Sequence, residues 1–106
     1  EINNRVALFA ADLFDFYLPS YQKRTSGQRV PLHDPCAVLA ITHPQLFNFQ
    51  NRAVVVETEG LHTRGMTVID ERSWGDRPLN CEVAYEIDRD QGIQIFLETI
   101  ETYSGT

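Results

Sequence analysis

Two prolines, Pro35 and Pro44, bracket the run Cys36-Ala37-Val38-Leu39-Ala40-Ile41-Thr42-His43. That bracket constrains the fold more than any other feature of the chain. Proline is tolerated in the first turn of a helix, where its missing N–H has no partner to lose, and it pushes the residue before it out of the helical region. Asp34 followed by Pro35 therefore reads as a helix start, with Asp34 as N-cap and Pro35 at the first helical position. The helix should run to about Thr42 and stop before Pro44. It is apolar nearly all round, which is the pattern of a buried helix.

The flanking segments divide into a few clear elements. From about Asn4 to Tyr21, apolar residues at Val6, Phe9, Leu13, Phe16 and Tyr17 fall on one helical face, with Asn3 or Asn4 as N-cap and Pro19 ending or kinking the last turn. A polar loop, 22–30, follows and contains Ser26-Gly27. Ala53 to Thr58 is β-branched and reads as a strand, with Met66 to Asp70 as its neighbour. Gly60 and Gly65 punctuate a hairpin loop of five or six residues. Residues 73–79 form a loop in which Trp74 is expected to anchor on the core. Cys81 to Ile87 reads as a third strand with Cys81, Val83, Tyr85 and Ile87 on one face. Asp88 opens a last helix with Gln91 three residues on, close to a capping box, and Ile93, Phe96, Leu97, Ile100 and Tyr103 make its buried stripe.

The order is α, α, β, β, β, α in one domain spanning 1–106, since 106 residues allow no more. This fits a small mixed α/β (α+β) unit or a piece of a larger α/β sheet. With 42% apolar and 10% aromatic residues the chain has enough to bury and is not a disordered segment. No apolar run approaches the roughly 18 residues a spanning helix needs, so no membrane partner is expected. A net charge of −6 repels phosphate, and the densest basic stretch, Lys23 to Arg29, is too short to reverse this, so no nucleic acid is expected either. Cys36 and Cys81 form no CxxC, and a reduced cytoplasmic setting is the default. The first nine residues lack the pattern of a secretion signal, and the missing initiator Met suggests a chain that starts partway through something longer.

The sharpest chemical feature is His33-Asp34, an imidazole beside a carboxylate at a helix N-terminus, where free N–H groups and the positive dipole end favour negative charge. A carboxylate there stays ionised and can ligate a hard cation. Taken on chemistry alone, Asp34 reads first as a simple cap and His33 as a surface loop residue. A zinc site from His33, Cys36 and His43 lacks a fourth ligand and has poor spacing, and Cys36 reads better as a small core residue than as a nucleophile. Tyr17 and Tyr21, four apart, share a helix face as core or boundary aromatics, or as a pair lining a pocket for a flat ring. Glu57, Glu59, Asp70 and Glu71 read as solvated strand-edge charge, with Arg64 or Arg72 as partners.

The stretches PLHDPCAVLAITHPQLF and VVVETEGLHTRGMTVID, followed by NCEVAYEID, resemble the C-terminal part of the inosine-uridine-preferring nucleoside hydrolases. The His-Asp pair, the proline-bounded helix and the TRGMTVID hairpin stand in the order and spacing of that family, and the likeness runs over most of the chain. The resemblance implies an open, mostly parallel α/β sheet with a β-hairpin, of which this chain would be the C-terminal part. It implies a calcium-dependent hydrolase that cleaves the N-glycosidic bond of ribonucleosides to ribose and free base, with nucleoside (inosine, uridine or another) as partner and a homo-oligomer as assembly. By the same resemblance Asp34 ligates the calcium and touches the ribose hydroxyls, His33 donates a proton to the leaving base, and Tyr17 and Tyr21 contact the base. Such a reaction passes through an oxocarbenium-like state, in which an oriented ribose diol, a metal-activated water and a general acid each lower the barrier.

The chain departs from the family where the metal is concerned. The family's DxDxxxDD-type aspartate cluster is absent, and Asp12 and Asp15 do not fit it. Calcium takes six to eight oxygens and Asp34 offers at most two. The expectation is a C-terminal fragment, catalytically silent alone, that exposes apolar surface around Pro35 to Ile41 and self-associates. The alternatives are a non-catalytic binding or assembly domain derived from the family, and an unrelated small α+β domain in which neither His33 nor Asp34 lies in a cavity.

Overall fold

The computed structural model describes residue 2 and residues 4–26, 31–72 and 74–103. Three helices and three strands follow in the expected order: α1 (Arg5–Arg24), α2 (His33–Thr42), a 3₁₀ turn (Pro44–Leu46), β1 (Phe47–Val56), β2 (Thr67–Asp70), β3 (Cys81–Ile87) and α3 (Arg89–Glu101). This is a mixed α/β chain. It divides into a helical unit, residues 1–46 with 88–106, and a sheet unit, residues 47–87.

In the helical unit, Asn4 caps α1 by accepting from the Ala7 N–H at 2.8 Å, as its position before the apolar stripe predicts. Pro19 does not end α1. It leaves the Asp15 carbonyl without its N–H donor, and the helix continues to Arg24. Past the Thr25 cap, Ser26 takes a left-handed backbone with φ 55°, the conformation that glycine usually supplies at a helix end. The loop residues 27–30, including the expected Gly27, lie outside the described residues.

The proline-bounded helix forms, but its start differs from expectation. Leu32 is the cap residue and makes no side-chain bond, His33 is already helical, and Asp34 sits in the first turn. The expected burial is also corrected: of α2 only Leu39 is buried, while Val38 is 61% and Ile41 84% exposed. The all-round apolar pattern is real, and most of the α2 surface has no neighbour among the described residues. α3 starts as expected, with Asp88 accepting from the Gln91 N–H at 3.1 Å and from its side-chain amide at 2.6 Å. These two bonds hold the Asp88 carboxyl below its ordinary range. The Asp88 N–H donates to the Leu46 carbonyl at 2.8 Å and fastens the start of α3 to the end of the 3₁₀ turn.

The sheet unit has strand order β2-β1-β3 with both pairings antiparallel. Strand β1 starts at Phe47, six residues before the expected Ala53, because its first half pairs with β3 and only its second half with β2. The polar residues Asn48, Gln50 and Asn51 hide that first half from a propensity reading. Pairing shifts between Asn48↔Glu86 and Phe49↔Ala84, so Tyr85 is an extra residue on β3. This bulge interrupts the expected single face of Cys81, Val83, Tyr85 and Ile87.

The hairpin loop is longer than five or six residues. Val56 pairs with Thr67, and Glu57 and Met66 add a further N–H to carbonyl bond of 2.9 Å. The Glu57 carboxylate accepts from the Glu59 and Gly60 N–H groups at 2.8 and 3.0 Å. Those bonds lower its pKa and tie down the turn. Gly65 has φ 89°, a conformation that side chains resist. Arg72, not Arg64, pairs with Asp70, at 2.6 Å. Trp74 is 78% exposed rather than anchored on the core.

Candidate active site

His33 and Asp34 lie in the first turn of α2, both exposed, where the N–H groups of the turn have no helical acceptors. Asp34 stands at one end of an apolar groove of about 490 Å³ that continues along Pro35, Val38, Thr42 and His43. The opposite wall is Ile95, Phe96 and Thr99 of α3. At the far end His43 closes α2, its N–H donating to the Leu39 carbonyl at 2.7 Å and its Nδ1 lying 2.9 Å from the Thr42 hydroxyl. Asp34 thus stands in a cavity, which the unrelated-domain reading did not expect. The sequence had placed Phe96 in a plain core stripe, and its role as a groove wall was legible only as the i, i+3 spacing of Phe96 and Thr99.

Tyr17 and Tyr21 share a face of α1, as their spacing requires, with ring centres 5.8 Å apart and planes tilted by 42°. Tyr17 lines a second groove with Leu13, Phe14 and Phe16, and Phe96 of α3 lines that groove too. Phe96 is therefore a wall common to the Asp34 groove and the tyrosine groove. Cys36 is half-buried one turn into α2, its thiol donating to the Leu32 carbonyl at 3.1 Å.

The metal chemistry of the described residues is thin. No three of their His, Cys, Asp and Glu side chains come together as a group able to hold an ion. Asp34 brings one carboxylate, against the six to eight oxygens calcium takes. These residues alone do not fit a calcium site. No described helix is long and apolar enough to cross a membrane.

The family model of the inosine-uridine preferring nucleoside hydrolases matches residues 1–94. The chain belongs to that nucleoside hydrolase family. Its relatives include the pyrimidine-specific ribonucleoside hydrolase RihA of Shewanella woodyi, 38% identical over 104 residues. The RihA of Photobacterium profundum is 36% identical over 104 residues. Each match covers 97% of this chain, and 33% and 34% of the respective relative. Among solved structures, the purine-preferring ribonucleoside hydrolase of Gardnerella vaginalis superposes with a TM-score of 0.79 at 29% identity, over 97% of this chain and the C-terminal 33% of that one. The chain thus spans about a third of the length of the relatives it matches. The two kinds of relative are named for opposite base classes, so the shared fold of this third does not itself set base preference.

Proposed function

We propose that these 106 residues are the C-terminal segment of a nucleoside N-ribohydrolase and carry part of its active site. The observation that supports this reading most directly is the position of Asp34. It is an exposed carboxylate in the first turn of α2, at the mouth of a groove, within a chain whose family cleaves nucleosides. In this reading Asp34 orients the ribose hydroxyls, and in a longer chain that brings the remaining oxygens it would offer one carboxylate to a calcium ion. His33, one residue before it and open to solvent, protonates the departing base as general acid. Tyr17 and Tyr21 offer ring faces to the base. The substrate is a ribonucleoside, the products are ribose and free base, and the setting is a cytoplasmic homo-oligomer. The isolated chain is catalytically silent, because one carboxylate holds no calcium.

The test is a ribose-release assay with inosine and uridine in the presence of calcium. It compares this chain with a chimera in which it replaces the matched third of the Photobacterium profundum RihA. Activity only in the chimera, abolished by Asp34→Ala, is the expected result. Turnover by the 106 residues alone overturns the claim that ligands from elsewhere are needed. Silence of a folded chimera shifts the assignment to a binding or assembly role.

A further inference from the structure

Helices α1 and α2 each meet α3, and α3 is fastened at both ends. At its start, the Asp88 N–H donates to the Leu46 carbonyl just past α2 at 2.8 Å. At its end, the Ile100 carbonyl accepts from the side chain of Asn4, the cap of α1, at 2.9 Å. Between these two ties stands Phe96, half-buried. It walls both the groove that Asp34 heads and the groove that Tyr17 lines. A phenyl ring there is a bulky, rigid spacer with no polar atom that needs a partner. A smaller or more flexible side chain in its place lets the helices settle closer.

We infer that Phe96 is a positioning residue: it sets how far the Tyr17 ring stands from the Asp34 carboxylate, and so whether one nucleoside meets both, its base on the ring and its ribose at the carboxylate. Tyr17 and Asp34 lie on different helices that α3 joins, so their spacing is set through α3. Tyr17 is 42% exposed, which leaves its ring a face for a base. A displacement of about 1 Å that starts far from the chemistry is enough to cost a site much of its efficiency. Phe96 takes this role only if Asp34 and Tyr17 act as proposed above, and the role needs no contact between Phe96 and the substrate.

The test is a double-mutant cycle in the RihA chimera, with uridine as substrate and the Tm of every variant followed to confirm folding. Tyr17→Ala removes the ring on which the base stacks and should raise KM about tenfold with kcat little changed. Phe96→Leu should raise KM by about the same factor, because the ring is present but misplaced. In the Tyr17→Ala background the same Phe96→Leu exchange should change KM by less than about twofold, since no ring is left to misplace. Phe96→Met, which replaces the flat ring with a flexible chain, carries the same readout where Phe96→Leu does not accumulate. A tenfold loss that recurs in the Tyr17→Ala background overturns the positioning role and leaves Phe96 a packing residue. So does a Phe96→Leu chimera with the KM of the parent. A chimera that folds but releases no ribose removes the fragment reading and the role of Phe96 together, whereas an active chimera with additive losses removes the role of Phe96 alone.

Discussion

Asn4 ties the start of α1 to the end of α3: its side-chain nitrogen donates to the Ile100 carbonyl at 2.9 Å while its oxygen caps Ala7. Ile100 lies in the last turn of α3, and its carbonyl also accepts from the Tyr103 N–H at 3.2 Å. One amide thus satisfies an orphan donor at the start of one helix and adds a bond to a carbonyl at the end of the other, 96 residues apart in sequence.

Asn4→Asp should therefore separate the two roles. Aspartate caps as well as asparagine, but it cannot donate, and it sets a carboxylate against a carbonyl. Asn4→Ala loses both bonds. The expected costs are about 1 kcal/mol for Asn4→Asp and about 2 kcal/mol for Asn4→Ala, read by urea unfolding followed by far-UV circular dichroism. Equal stability of Asn4→Asp and wild type would show that the bond to Ile100 contributes nothing.

Asn80 does for the sheet what Asn4 does for the helices. Its side-chain oxygen accepts from the Val54 N–H at 2.8 Å, its side-chain nitrogen donates to the Val54 carbonyl at 2.9 Å, and its own N–H donates to the Arg52 carbonyl at 3.1 Å. The side chain imitates a peptide group and extends the β1–β3 ladder one step beyond Cys81. Asn80→Ala should cost about 1–2 kcal/mol, the net worth of two ordinary hydrogen bonds. It should also speed exchange of the Val54 amide hydrogen more than that of Phe49. Uniform acceleration across β1 would point to global loosening instead of a lost local pair.

What was legible in the sequence follows a physical divide. The caps at Asn4 and Asp88 and the proline-bounded helix were readable because they are decided by contacts within a few residues. The family resemblance was readable because its motifs are local strings. The first half of β1 was not readable, since Asn48 to Arg52 are held extended by pairing with β3, some 30 residues away, against their own weak strand preference. Burial was the poorest inference. Phe16, Ile41 and Trp74 are apolar enough for a core, but a sequence does not state whether the surface they need lies within the same chain. For the site, the placement of Asp34 and His33 at a helix start was readable, and the α3 wall opposite Asp34 was not, because it comes from a helix some 60 residues later.

The Asp70–Arg72 pair gives a pH prediction with a definite sign. Arg72 donates through Nε and Nη2 to the two oxygens of Asp70 at 2.8 and 2.6 Å, and its N–H adds a third bond at 3.1 Å. These bonds, the side-chain pair first, hold the Asp70 carboxyl well below the usual carboxylate range. A carboxylate whose folded pKa is depressed stabilises the fold above its unfolded pKa and loses that stabilisation as pH falls toward the folded one. The Tm difference between wild type and Arg72→Ala should thus be constant from pH 7 to about 5 and narrow steadily below about pH 4. A difference that stays constant down to pH 2.5 would assign the effect of Arg72 to packing alone. High salt should shrink it at neutral pH, because the pair is open to solvent.

The last prediction concerns His33 and rests on the chemistry of leaving groups. A general acid helps only a departing group that is a poor anion, and its removal typically costs about 10²–10⁴-fold in rate. A carboxylate that orients ribose serves every substrate alike. In the RihA chimera, His33→Ala should slow release of uracil from uridine by about 100-fold or more. It should leave hydrolysis of a 4-nitrophenyl riboside nearly unchanged, because that phenolate departs without a proton. Asp34→Ala should abolish both. An equal loss on the two substrates with His33→Ala would remove the acid role from His33 and leave it a residue that holds the start of α2, in agreement with its plain surface exposure there.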